Sequence, residues 1–111
     1  MLRSVKSHQR KVRHLYFHVD GTGTASIVQG STEGSLTDNG TGDYTITLAD
    51  EVIGHSRVLN IQATSITDNV HLTTSISGAA ITCLADNNAG SATDADFYLM
   101  VVLSDAADET V

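Results

Sequence analysis

The sequence predicts an all-β chain: an antiparallel, jelly-roll-like β-sandwich of about seven to eight short strands behind an extended basic N-terminal arm. Three observations predict it. Beyond residue 14, Thr, Ser, Val and Ile dominate, the composition that suits pleated, half-buried surfaces. Apolar and polar residues alternate over short runs, and no helix-length apolar periodicity competes with them. Gly, Asn and Asp clusters punctuate the runs at turn spacing. At 111 residues the chain makes one domain, with an arm over residues 1–14 and a folded body over 15–111.

The elements follow in order. "LYFHV" (15–19) and "ASIVQ" (25–29) are short strands, and "EGSLT" (33–37) is a weaker third. The cluster "TDNGTG" (37–42) contains Asn-Gly, a tight-turn dipeptide, and leads into the best strand, "DYTITLA" (43–49). There Tyr44, Ile46 and Leu48 share one face and Asp43, Thr45 and Thr47 the other, because side chains alternate along a strand. "SRVLNIQATSI" (56–66) repeats the pattern, with Leu59, Ile61 and Ala63 inward and Asn60, Gln62 and Thr64 outward. Asp68-Asn69 turns the chain into "VHLTTSI" (70–76), where Val70, Leu72 and Ile76 point inward. Ser77-Gly78 then leads into "AAITCLA" (79–85), and "DNNAGSATD" (86–94) is a loop.

The last strand, "DFYLMVVL" (96–103), is apolar on both faces. A strand of an antiparallel sheet with one wet face should not be. It is therefore either central in a sandwich and covered by the arm, or buried against another subunit. The second alternative makes Phe97, Tyr98, Leu99, Met100, Val101 and Val102 an oligomer interface. The acidic tail, "SDAADETV" (104–111), is a surface segment.

Charge divides the chain sharply. Arg3, Lys6, Arg10, Lys11 and Arg13 give residues 1–14 a charge of +5, while Arg57 against 13 acids gives residues 15–111 a charge of −12. Such asymmetry marks an interaction arm. Fully extended, the arm reaches ~45 Å, far enough to leave its own domain and lie on a neighbour. Its partner surface must be acidic. Nucleic acid fits poorly, because the body behind the arm repels phosphates and the arm has no interleaved aromatic residues for stacking on bases.

Other features read more plainly. A single cysteine, Cys83, excludes an internal disulfide framework, and it packs as a small apolar side chain beside Ile81. The longest apolar run, seven residues at 97–103, is too short for a membrane span. The basic start lacks the apolar core of a secretion signal, so a cytoplasmically made protein that keeps its arm is expected. His14 and His18 have zinc-helix spacing, but on a strand they stand ~13 Å apart and cannot share a metal. Asp94 and Asp96 would be hard-oxygen ligands beside "DNNAG" (86–90), yet the EF-hand spacing is missing, and a polar loop entering a strand is the simpler reading. "DGTGT" (20–24) and "GTGD" (40–43) lack the helix and the Lys-Ser/Thr pair of a phosphate loop, so they are turns. No base and orienting group stand beside a nucleophile, so no catalytic residues, metal or cofactor are expected, and the protein reads as non-enzymatic.

"GTGDYTITL" (40–48), with "AxxxDADFYLMVV" (92–102) and a short polar end some fifty residues later, resembles small β-sandwich structural proteins of tailed bacteriophages. These are capsid decoration (cement) proteins and related head or tail fibre domains, and the resemblance spans roughly residues 15–108. It implies a virion location, protein partners such as the major capsid protein, and a homo-oligomer with a trimer favoured. It carries over no functional residue. On that reading Arg3, Lys6, Arg10, Lys11 and Arg13 clamp acidic coat-protein surface. A fibre, collar or tail-tip component is the alternative. A glycan-binding or nucleic-acid-binding β-module ranks lower, the former because the chain has no Trp and only three Tyr to grip sugar faces.

Overall fold

The computed structural model describes residues 12–50 and 56–105. Its eight strands are β1 (Val12–Asp20), β2 (Ser26–Gln29), β3 (Gly34–Gly40), β4 (Asp43–Leu48), β5 (Ser56–Ser65), β6 (Val70–Ser77), β7 (Ala80–Asn87) and β8 (Asp96–Asp105). They form two four-stranded antiparallel sheets, β2-β1-β8-β5 and β3-β4-β7-β6, packed face to face. The expected sandwich is what the chain builds. The strands β1 and β8 pair side by side from Val12↔Ser104 to Asp20↔Asp96 at the centre of their sheet. The neighbours β1-β2, β3-β4 and β6-β7 are consecutive along the chain, so the sandwich is not a jelly roll.

The core is the sum of the inward alternations. Leu15, Phe17 and Val19 of β1 and Phe97, Leu99, Val101 and Leu103 of β8 face Tyr44, Ile46 and Leu48 of β4 and Ile81 and Cys83 of β7. Each of these but Leu15, at 8 %, is no more than 2 % exposed. The two central strands of each sheet thus carry the core. The flanking strands contribute half-buried residues, Ile27, Leu36, Val58, Ile61, Ala63 and Leu72.

Further sequence expectations need correction. β8 is central between β1 and β5, so Phe97, Leu99 and Val101 lie in the domain's own core and present nothing to another subunit. Only Tyr98, Met100 and Val102 of that set reach the outer face. Leu59 does not point inward: a register shift between Val58 and Asn60 makes it a bulge, 54 % exposed, and Val58 takes the inward position opposite Leu103. Ile76, near the end of the edge strand β6, is 40 % exposed. Finally, β3 continues through the Asn-Gly pair to Gly40, which pairs with Asp43, so Thr41 and Gly42 form the turn. Gly42 is required there. Its φ is +67°, and an added Cβ would run into the carbonyl oxygens of Ala85 and Thr93.

The predicted turn at Asp68-Asn69 holds, with Asn69 (φ 61°) in the left-handed region. The one expected at Ser77-Gly78 falls a residue later, on Gly78 (φ 61°) and Ala79, because Ser77 still pairs with Ala80. β1 begins three residues before the expected edge of the body, so Val12, Arg13 and His14 are strand residues. Of the arm cations, Arg3, Lys6, Arg10 and Lys11 lie outside the described residues. Arg13 is exposed in β1, opposite Leu103.

Candidate functional site

The two outer faces of the sandwich differ in chemistry, and that difference follows from register. On β3-β4-β7-β6, the cross-strand partners Thr37, Thr45, Thr82 and Ser75 form one outward row, and Ser35, Thr47, Ala80 and Ser77 form the next. This face is a solvated hydroxyl surface. On β2-β1-β8-β5, the outward rows are Gln29–His18–Tyr98–Thr64, then Tyr16–Met100–Gln62, then His14–Val102–Asn60. These three rows contain no Asp, Glu, Lys or Arg.

Aromatic rings gather on this second face. Tyr16 is 62 % exposed and Tyr98 52 %. His14 stacks against Tyr16 with ring centroids 6.3 Å apart and planes at 11°. His18 lies across from Tyr98 with centroids 5.0 Å apart, tilted at 48°. The two histidines therefore sit along one strand face with Tyr16 between them, as side chains two and four residues apart must. Among the described residues no group of three or more His, Cys, Asp or Glu converges as a metal site.

Between the tyrosines runs a groove of about 210 Å³ lined by Tyr16, Tyr98, Met100, Gln29, Gln62 and Thr64, with core residues Phe17 and Leu99 beneath. Sequence alternation already turned Gln62 and Thr64 outward. What it could not give was the pairing of β1 with β8 and of β8 with β5, which sets them beside the tyrosines.

One end of this sheet is acidic. Asp20 and Asp96 are cross-strand partners. Asp20 accepts hydrogen bonds from the Thr22 backbone N–H (3.0 Å) and hydroxyl (2.8 Å). Those bonds, the Thr22 hydroxyl foremost and Asp96 next, hold the Asp20 carboxyl below its ordinary value. Asp96 moves the other way, raised chiefly by its contact with Asp20. One Asp96 oxygen, Oδ1, is buried without a hydrogen-bond partner. Asp94, which the sequence paired with Asp96, is occupied elsewhere: its Oδ1 accepts from the Gly42 N–H (3.0 Å) and the Tyr44 hydroxyl (3.1 Å).

The remaining reactive groups are sealed in the core. Burial pushes the Cys83 thiol up to about 12, and burial together with Asp94 pushes the Tyr44 phenol up to about 12. Neither is an ionised nucleophile near neutral pH. No family model matches the chain, and no curated protein or solved structure matches it. What the protein does has to be read from its own surfaces.

Proposed function

We propose that this chain is a non-enzymatic structural protein of a virion, a capsid decoration or cement protein of a phage head. Its basic arm straps neighbouring coat subunits, with Arg3, Lys6, Arg10, Lys11 and Arg13 on acidic surface of the major capsid protein or another virion protein. The observation that carries the reading is the division between an acidic sandwich and a cationic N-terminal segment that precedes and enters β1. A sandwich of this kind offers a stable platform, and a terminal strand that runs into an arm couples that platform to a neighbour. The sequence resemblance supplies the particle.

Copies are expected to associate as a homo-oligomer, a trimer first among the possibilities. The arm-proximal part of the β2-β1-β8-β5 sheet is the surface suited to it, because Val12 (50 % exposed), Leu59 (54 %) and Val102 lie there together. Exposed apolar residues grouped this way are a mark of association.

The test is co-sedimentation with phage shells that lack accessory proteins. Full-length protein should pellet with the shells. A variant carrying Gln at Arg3, Lys6, Arg10, Lys11 and Arg13 should stay in the supernatant while its circular dichroism still shows the folded sandwich. Undiminished pelleting of that variant would sink the strap. Light scattering on both proteins separates the two claims, since the oligomer should survive loss of the arm charges.

A further inference from the structure

We infer that the groove between Tyr16 and Tyr98 is a binding site for a neutral glycan. The inference is independent of the particle reading, and it draws on a part of the sheet other than the arm-proximal residues assigned to assembly. Its first ground is placement. Of the three tyrosines, Tyr44 is wholly buried, and both others stand more than half exposed on one sheet face and line one groove. The opposite sheet exposes no Tyr, Phe or Trp ring, only the imidazole of His71 on its edge strand β6.

The second ground is the chemistry around them. A pyranose ring has an apolar C–H face, which packs on an aromatic ring, and a rim of hydroxyls, each both donor and acceptor. The side-chain amides of Gln29 and Gln62 and the hydroxyl of Thr64 supply donors and acceptors together. Met100 forms an adaptable apolar floor.

The third ground is charge. No ionisable carboxylate, ammonium or guanidinium lines the groove, so a charged ligand would lose hydration there without gaining a partner. A neutral, polyhydroxylated ligand loses little. The volume, about 210 Å³, is below the ~300–1,000 Å³ of enclosed small-molecule pockets. It suits one sugar ring held from one side, with the rest of a chain continuing over the His14–Tyr16 stack or the His18–Tyr98 pair.

The experiment is titration of the full chain with maltose, cellobiose, lactose, chitobiose and mannobiose, followed by the NMR shifts of the Tyr16 and Tyr98 rings and by calorimetry. At least one disaccharide should move both ring signals and saturate with millimolar affinity. Tyr98→Ala and Tyr16→Ala should each weaken binding about tenfold, the worth of one aromatic stacking contact. Leu84→Ala, on the opposite face, should leave it unchanged. Both tyrosines are exposed, so neither variant should lower the melting temperature appreciably. Absence of saturable shifts with all five sugars would overturn the assignment, as would binding that survives both tyrosine variants. So would concentration-dependent self-association that Tyr98→Ala abolishes, because the groove would then belong to a second copy of the chain.

Discussion

Tyr44 ties together three segments that are far apart in sequence. Its hydroxyl lies 3.1 Å from both the Gly21 carbonyl and Asp94 Oδ1, and it accepts from the Ala95 N–H at 3.3 Å. The loop after β1, strand β4 and the approach to β8 are thereby pinned at one point. Gly21 has no room for a side chain, since a Cβ would collide with the Ala95 carbonyl and the Tyr44 hydroxyl. Tyr44→Phe removes one atom and takes a hydrogen-bond partner from the Gly21 carbonyl, Asp94 Oδ1 and the Ala95 N–H. It should cost about 1–3 kcal/mol in urea unfolding, the penalty for stranded buried polar groups. A loss below a few tenths of a kcal/mol would mean that water reaches the site. The acid pair makes a second residue-scale prediction. Asp96 is raised by folding, so the native state carries no penalty from it at low pH, and a penalty develops as pH climbs through and beyond the ordinary carboxylate value of 3.8. Asp20 is lowered, so its contribution is present above that value and is lost as pH falls. Asp96→Asn keeps a donor towards Asp20 and removes the like charge. It should raise the melting temperature at pH 7, with the gain shrinking as pH falls towards ~3, where Asp96 is mostly protonated whether the chain is folded or not. An equal gain at both pH values would refute the shared-charge account.

The strand is the scale at which sequence and structure part company. Strands β4 and β7 were legible because alternation is strict and a one-residue slip would flip every side chain. The inward set Tyr44, Ile46, Leu48, Ile81 and Cys83 is the one the spacing predicted. β5 was misread at Leu59 because a bulge inserts a residue without changing composition, and nothing in "RVLNIQ" signals which of Val58 and Leu59 is extruded. β8 was legible as unusual, with a central place in the sandwich and a subunit interface left as alternatives. Its two-sided apolarity records a core on one side and the tyrosine groove on the other, and only the pairing with β1 and β5 distinguishes that from a subunit interface. The groove itself was invisible for the same reason: its residues come from β1, β2, β5 and β8 and meet only through long-range register. Paired substitutions test this reading. Ile46→Ala, in the core, should cost about 2–5 kcal/mol. Leu59→Ala, measured at a concentration where the chain is monomeric, should cost under about 0.5 kcal/mol, as at an exposed site. A large loss from Leu59→Ala would restore it to the interior and shift the register of β5.

At the scale of the whole molecule, the charge split and the neutral groove imply two contacts that respond differently to salt. The arm carries +5 and the remainder −12, so attachment to an acidic surface works against repulsion from the protein's own body. Each exposed ion pair contributes only about 0–1 kcal/mol, and the Debye length shrinks from ~10 Å at 0.1 M salt to ~3 Å at 1 M. Five such pairs acting together still sum to a contact that salt can undo. Affinity for the shell should therefore fall at least about tenfold between 0.05 and 0.5 M NaCl, since a loss of about 1.4 kcal/mol spread over the five suffices. The groove has no formal charge in its lining, so sugar affinity should change less than about twofold over the same range. The two titrations can be run on one preparation of the full chain. If shell binding proves insensitive to salt, the strap is not ionic and the five cations do not carry it. If sugar binding falls steeply with salt, a charged group takes part, and the Asp20–Asp96 end of the sheet is the nearest candidate.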